Sequence, residues 1–209
     1  MKSYDWGVQV ANRHDAKNTE EFIYRAAVEL MAARGYHGTT LRDVARAVGL
    51  QMSSIYYYFP SKQELLLAIM RRTMRDLRAF VEPPISAEGS FRARLTAGIR
   101  AHVLFHADRR LETLVTDSEI RALEGENRDE IIALRDAYSG LFLEVLEAGR
   151  RAGDFTFSDA HVATNALMTM CAGVAVWYQP EGRLSLPQIA EEFTRLYIRG
   201  VAASPAQPE

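Results

Sequence analysis

Apolar residues recur at every third or fourth position along almost the whole chain. No segment of useful length alternates with a period of two, so the pattern predicts an all-α protein. The string Asn18-Thr19-Glu20-Glu21 reads as a helix start, with Asn18 as cap and Glu21 three places on. Phe22, Ile23, Ala26, Ala27, Leu30 and Met31 follow at helical spacing, and Gly35 stops the helix. A second helix opens at Thr40, where Asp43 completes a capping box, and carries Leu41, Val44, Ala45 and Val48 inward until Gly49. A short third helix is expected at Met52–Tyr58, ending near Phe59 because Pro60 disfavours helix in the residue before it. Ser61 and Glu64 form another capping pair, opening a long helix through about Phe80.

Pro83-Pro84 then predicts a break, within a linker at 82–88. Beyond it the pattern gives helices near 89–107, 109–123, 127–151, 159–178 and 186–202, separated by Gly125, Gly153 and a turn at 180–182. Residues 1–17 are expected to form an N-terminal arm, 18–75 a head, 76–202 a larger helical body and 203–209 a disordered tail.

Composition narrows the class. Hydrophobic residues make up 48% and charged residues 25%, a balance that suits a folded globular chain. No apolar run is read as approaching a membrane span, and a start containing Lys2 and Asp5 does not resemble a secretion signal, so the expected compartment is the cytoplasm with no membrane partner. Cys171 is the only cysteine. It allows no internal disulfide and no thiolate metal cluster, and its apolar setting predicts a buried, inert thiol. The net charge of −2 conceals an asymmetry, because residues 1–75 carry +4 and the remainder −6. A positive head on a negative body suits a protein whose one end meets a polyanion. The arm holds Lys2, Arg13, His14 and Lys17, diluted by Asp5 and Asp15, and reads more readily as a disordered tail than as a minor-groove contact.

The segment 40–59 has the layout of a helix-turn-helix: two short helices joined by a tight turn containing glycine. Burying Ile55 and Phe59 leaves Gln51, Met52, Ser53, Ser54, Tyr56 and Tyr57 available to face outward. Glutamine and serine can hydrogen-bond base edges, methionine can touch a thymine methyl, and tyrosine hydroxyls suit phosphate oxygens. Lys62, in the first turn of the fourth helix, is placed to hold a phosphate together with that helix's free N–H groups. The competing reading makes Tyr56-Tyr57-Tyr58-Phe59 an aromatic core patch. Successive helical residues turn by about 100°, so three adjacent tyrosines cannot all point inward, and DNA contact is the favoured reading.

The string Thr39-Thr40-Leu41-Arg42-Asp43-Val44-Ala45, then after three residues Gly49-Leu50-Gln51-Met52-Ser53-Ser54-Ile55-Tyr56-Tyr57-Tyr58-Phe59-Pro60-Ser61-Lys62-Gln63-Glu64-Leu65, resembles the DNA-binding head of the TetR family. The resemblance covers about residues 18–70. It implies that Thr40 and Lys62 clamp phosphates, that Gln51, Met52, Ser53 and Ser54 lie at or in the major groove, and that Tyr56 and Tyr57 stand at its edge. Tyr58 departs from the family's usual histidine. The resemblance also implies a homodimer paired through the helices near 159–178 and 186–202, a palindromic double-stranded DNA operator, and a body that senses a small molecule. The first pairing helix is apolar nearly all round from Ala163 to Tyr178, and the second carries Ile189, Phe193, Leu196, Tyr197 and Val201 at helical spacing.

The stretch 173–185 resembles, more weakly, a TetR subgroup that regulates lipid or sterol breakdown and senses acyl-CoA thioesters. Ala172 and Val176 stand where some of those members carry tryptophan and arginine. A lipophilic effector is therefore expected, with His102, Phe105, His106, Tyr138, Phe142, Met168 and Met170 as candidate contacts, each also a candidate for ordinary core. His102 and His106, at i and i+4, have a spacing that can serve one metal ion, with Glu112, Asp117, Glu119 or His161 as further ligands. That remote reading, a helical metal enzyme, lacks an HExxH order, so no metal, cofactor or catalytic group is expected. The leading expectation is a repressor released from its operator by the effector. A regulator without effector, or an activator, is the alternative.

Overall fold

The computed structural model describes residues 16–202, and all of its extended elements are helices. The expected arm at 1–17 lies outside the described residues except for its last two positions, and the expected tail at 203–209 lies outside them entirely. The chain divides at Leu65–Leu66 into two units, each with its own core.

In the first unit, α1 (Ala16–Arg34) packs on α2 (Leu41–Ala47), and α2 on α3 (Met52–Tyr58). The local chemistry explains the boundaries. The Thr40 hydroxyl accepts from the Asp43 backbone N–H at 3.1 Å, and the Asp43 carboxylate accepts from the Thr40 N–H at 3.0 Å, so the donors at the start of α2 are satisfied reciprocally. Gly49 takes a left-handed φ of 67°, letting the Leu50 N–H reach back to the Ala45 carbonyl at 2.9 Å. A side chain at position 49 would strain that turn. The head core is Ile23, Tyr24, Ala27, Val28, Met31, Leu41, Val44, Ala45, Ile55 and Phe59.

Two sequence expectations change here. α1 begins at Ala16, so Asn18 lies inside the helix rather than capping it. Phe22, expected inward, is 46% exposed while Tyr24 is buried. The stripe is rotated towards positions 24 and 28, where Tyr24 and Val28 fill the inward face.

α4 (Lys62–Ser86) runs through Pro83 and Pro84, where the sequence predicts a break. Proline removes an N–H and crowds the preceding turn, yet both prolines fall in the last turn of this helix. The segment is held there by a fully buried Ile85 and by the Arg94 guanidinium, which donates to the Ile85 carbonyl at 2.9 Å. Gly98 makes room for that anchor: a Cβ at position 98 would stand 2.8 Å from the Ile85 side chain.

The second unit is built around α5 (Phe91–Asp108), which packs against α6 (Arg110–Ser118), α7 (Gly125–Ala152), α8 (Ala160–Ala172), α9 (Val174–Trp177) and α10 (Leu186–Val201). Its buried residues lie on every side, from Leu95 through Ile99 and Val103 to Ala107, as a central helix requires. By contrast α10 buries one stripe: Ile189, Ala190, Thr194, Tyr197, Ile198 and Val201. Leu196, expected in that stripe, is 60% exposed. The helix expected over 109–123 stops at Ser118 and continues as one tight 3₁₀ turn, Ile120–Ala122.

The helix expected over 159–178 is likewise split at Gly173 into α8 and α9. Contrary to the sequence reading, Ala160–Trp177 is 18 residues of mean hydropathy 1.2, long and apolar enough by composition to cross a membrane. Its inner side packs on α5, α7 and α10, the placement of a body helix. Towards the end of α7, Gly149 lets the Phe155 ring lie where a Cβ would sit 2.3 Å away. That ring closes the core beside the end of α10, where the Thr156 N–H donates to the Val201 carbonyl at 2.8 Å.

Candidate functional site

The outward face of α3 follows from a single anchor. Ile55 is fully buried and Phe59 nearly so, which fixes the roll of the short helix. Gln51, Ser53, Tyr56 and Tyr57 are consequently exposed, and Met52, Ser54 and Tyr58 are half-buried. Tyr56 is 52% and Tyr57 81% exposed. Tyr58 does not complete a core patch; its ring meets that of Tyr57 edge-on at 5.1 Å. Large aromatic rings this open to water in a small head are a surface awaiting a partner.

Beside this face lies a recess of about 410 Å³ lined by Thr40, Leu41, Arg42, Met52, Tyr56 and Lys62. It brings together the N-terminus of α2 and the face of α3, and with them four of the residues singled out from the sequence. Arg42 is the member that sequence reasoning passed over. Its signal was available, since an exposed arginine two places after a capping threonine sits in the first helical turn beside that cap.

Lys62 also has partners inside the head. Its ammonium donates to the Tyr36 carbonyl and to the Thr39 carbonyl, each at 3.0 Å, and lies 3.9 Å from the centre of the Tyr36 ring. Two of its three N–H bonds are thus spent tying the start of α4 to the loop before α2. The Thr40 hydroxyl is similarly occupied, donating to the Asp43 carboxylate at 2.6 Å. That bond, with the Thr40 N–H, holds the Asp43 carboxyl below its ordinary range. Both residues are therefore parts of the frame around the recess as well as of its wall.

In the body, five of the seven candidate ligand residues converge. His102, Phe105 and His106 on α5 and Tyr138 and Phe142 on α7 are all buried, whereas Met168 and Met170 on α8 are half-buried. The His102 Nδ1 lies 2.6 Å from the Tyr138 hydroxyl. The His102 and His106 rings stack at 4.1 Å, and the Phe142 ring meets His102 edge-on at 6.0 Å. The His106 Nδ1–H donates to the His102 carbonyl at 3.0 Å. Burial pushes His102 well below the ordinary histidine range, with neighbouring His106 adding to it. Burial also lowers His106, which Asp117, 4.0 Å from its Nε2, partly counters. Both imidazoles are thus neutral at pH 7.

As a metal pair, the geometry is poor. One Nδ1 faces a tyrosine, the other is bonded to a backbone carbonyl, and no third ligating side chain groups with them among the described residues. Cys171 is fully buried and burial raises its thiol to about 12, as an inert core thiol requires. Ala172 is half-buried and Val176 is 66% exposed, so the two positions that depart from the acyl-CoA subgroup lie at the surface side of the α8–α9 break.

Comparison with known proteins bears on both units. Residues 23–69 match the domain described as "Bacterial regulatory proteins, tetR family", and residues 88–201 match the "Tetracyclin repressor-like, C-terminal domain". The HTH-type transcriptional repressor KstR2 of Rhodococcus jostii is 27% identical over 183 residues, covering 85% of this chain and 88% of that protein. A crystal structure of a bacterial regulatory protein in the tetR family from Rhodococcus RHA1 superposes with a TM-score of 0.84 at 28% identity, covering 89% of this chain and 98% of the other. AibR in complex with isovaleryl coenzyme A and operator DNA gives a TM-score of 0.79 at 26% identity, covering 85% and 96%. Both halves of the chain are accounted for by one architecture, a helix-turn-helix head and a helical body, and the chain belongs to the TetR family of bacterial regulatory proteins.

Proposed function

We propose that this protein is a homodimeric repressor that reads a palindromic operator through α3 and leaves it when a lipophilic small molecule enters the body. One observation carries the DNA-binding half: Tyr56 and Tyr57 stand open to solvent on a helix whose roll is fixed by buried Ile55. Gln51 caps that helix and Met52, Ser53 and Ser54 belong to it, and the four read base edges. Tyr56 and Tyr57 meet the backbone at the groove's rim, Arg42 and the third N–H of Lys62 hold phosphates, and Thr40 joins them when its hydroxyl turns from Asp43. The DNA-binding domain takes in residues 18–75 and the effector-binding and pairing domain residues 76–202.

Pairing uses α8, α9 and α10. Val162 (67%), Val176 (66%), Trp177 (51%) and Leu196 (60%) leave apolar side chains exposed there. A two-fold dimer would cover them and set two copies of α3 about one DNA turn, ~34 Å, apart. α4 spans the boundary between the two units and is the natural transmitter of an effector's presence. The protein acts by binding alone, without catalysis, in the compartment that holds the DNA, the cytoplasm. An acyl thioester as effector draws on the likeness to AibR, whose structure holds isovaleryl coenzyme A.

The test selects duplexes from a random-sequence library with the purified protein and then titrates acyl coenzyme A thioesters of increasing chain length against the bound palindrome. Enrichment of a palindrome and its release by at least one thioester is the expected result. Release requires the effector to prefer the non-binding state, by ~3 kcal/mol for a hundredfold change. Absence of any enriched duplex would remove the DNA-binding reading. Enrichment without release by any thioester would remove the effector class.

A further inference from the structure

His102 is fully buried at the middle of α5, and its Nε2 has no hydrogen-bonding partner. Such an atom in an apolar core is a standing cost that folding alone gives no reason to accept. The two protonation patterns of the His102–Tyr138 contact differ in how many orphans they leave. If the Nδ1–H donated to the tyrosine oxygen, both the tyrosine proton and Nε2 would lack partners. If the Tyr138 hydroxyl donates to Nδ1, the tyrosine is satisfied and a single unmet group remains, the Nε2–H donor. The second pattern is the economical one. It leaves one unmet N–H in the core of the body, on a ring stacked against neutral His106 at 4.1 Å and met edge-on by Phe142 at 6.0 Å.

We infer that the His102 Nε2–H, with its tautomer set by Tyr138, is the donor that recognises a carbonyl oxygen at the head of an effector's apolar chain. The inference rests on the proposed effector-binding role of the body and adds the atom and the functional group. Desolvation keeps the imidazole uncharged, so it presents a neutral donor suited to a thioester, ketone or ester oxygen rather than a cation suited to a carboxylate. Helix α8, which packs on α5 and α7, is adaptable: it carries half-buried Met168 and Met170 against the core and is interrupted at Gly173, two residues after buried Cys171.

The experiment compares two probes on the full-length protein by calorimetry: decanoyl coenzyme A and S-decyl coenzyme A, the thioether in which a methylene replaces the carbonyl. The wild-type protein is expected to bind the thioester about tenfold more tightly, ~1.4 kcal/mol. His102→Phe keeps ring bulk without the N–H and should abolish the preference, so that thioester and thioether bind that variant equally. Equal wild-type affinity for both probes would overturn the inference while leaving the effector reading intact. A thioester preference that persists in His102→Phe would overturn the assignment to this residue. Binding of neither probe would overturn it together with the acyl thioester reading. The wild-type comparison needs no variant to fold.

Discussion

The head and the body handle polar groups in opposite ways. In the head, polar and aromatic side chains are pushed out to water by one small core, and their frame is closed by short-range bonds: Thr40 with Asp43, Leu50 with Ala45, Lys62 with the Tyr36 and Thr39 carbonyls. In the body, His102, His106 and Tyr138 are drawn inside a core of more than one helix layer, where desolvation keeps all three neutral. The first arrangement suits a large charged partner met at the surface. The second suits a small partner taken out of water. Under the proposed function, the same chain separates two kinds of recognition by burial alone.

Body recognition built on a packed core should be costly to disturb. Phe142→Ala, which empties a fully buried ring site between α5 and α7, is expected to lower body stability by about 3–5 kcal/mol. Chemical denaturation followed by circular dichroism measures this, and a loss under 1 kcal/mol would mean that the body core does not depend on that ring.

The buried imidazoles sharpen the comparison through pH. His102 and His106 are held below their ordinary value of 6.5 chiefly by burial, so the unfolded chain takes up protons that the folded body refuses. Stability is therefore complete above that value and falls as the pH drops through and below it, by up to ~1.4 kcal/mol per histidine for each pH unit. The carboxylates of Asp43, Glu82 and Glu130, lowered by their hydrogen bonds, lose their contribution only at lower pH still. Thermal melts between pH 7.5 and 5 should show the slope in wild type and a shallower one in His102→Phe. Equal slopes would contradict the burial account.

The head should respond less in stability. Thr40→Ala removes one cap and the hydroxyl that fixes Asp43, and is expected to cost about 1 kcal/mol. Amide exchange across α2 reads that loss directly, and body amides should not change.

What could be read from the sequence divides along the same line. The start of α2 and the span of α3 were legible, because a capping box, a left-handed glycine and a proline act within a few positions. The end of α2 was not, since the helix stops at Ala47 and Val48, expected inward, is its half-buried C-cap. Most of the outward set at α3 was legible for the same reason: Gln51, Ser53, Tyr56 and Tyr57 are exposed, whereas Met52 and Ser54, expected outward with them, are half-buried. The bonds that Lys62 makes within the head were not, since their acceptors stand 23 and 26 residues away. The body's polar centre joins residues 36 apart, His102 and Tyr138, and only the packing of α5 on α7 brings them together. Pro83-Pro84 misled a local rule because Ile85 burial and the Arg94 bond act from outside the helix. The break at Gly173 escaped a periodicity that stays apolar on both sides of it.

Whether the exposed face of α3 reads DNA is decided by the affinity of the selected palindrome for wild type and for the double substitution Tyr56→Ala, Tyr57→Ala. Both side chains are outside the core, so the double variant should melt with the wild type. The account predicts at least a tenfold loss of specific affinity, about 1.4 kcal/mol or more, with binding to unrelated duplex much less affected. Unchanged affinity for the palindrome in a folded double variant would contradict it.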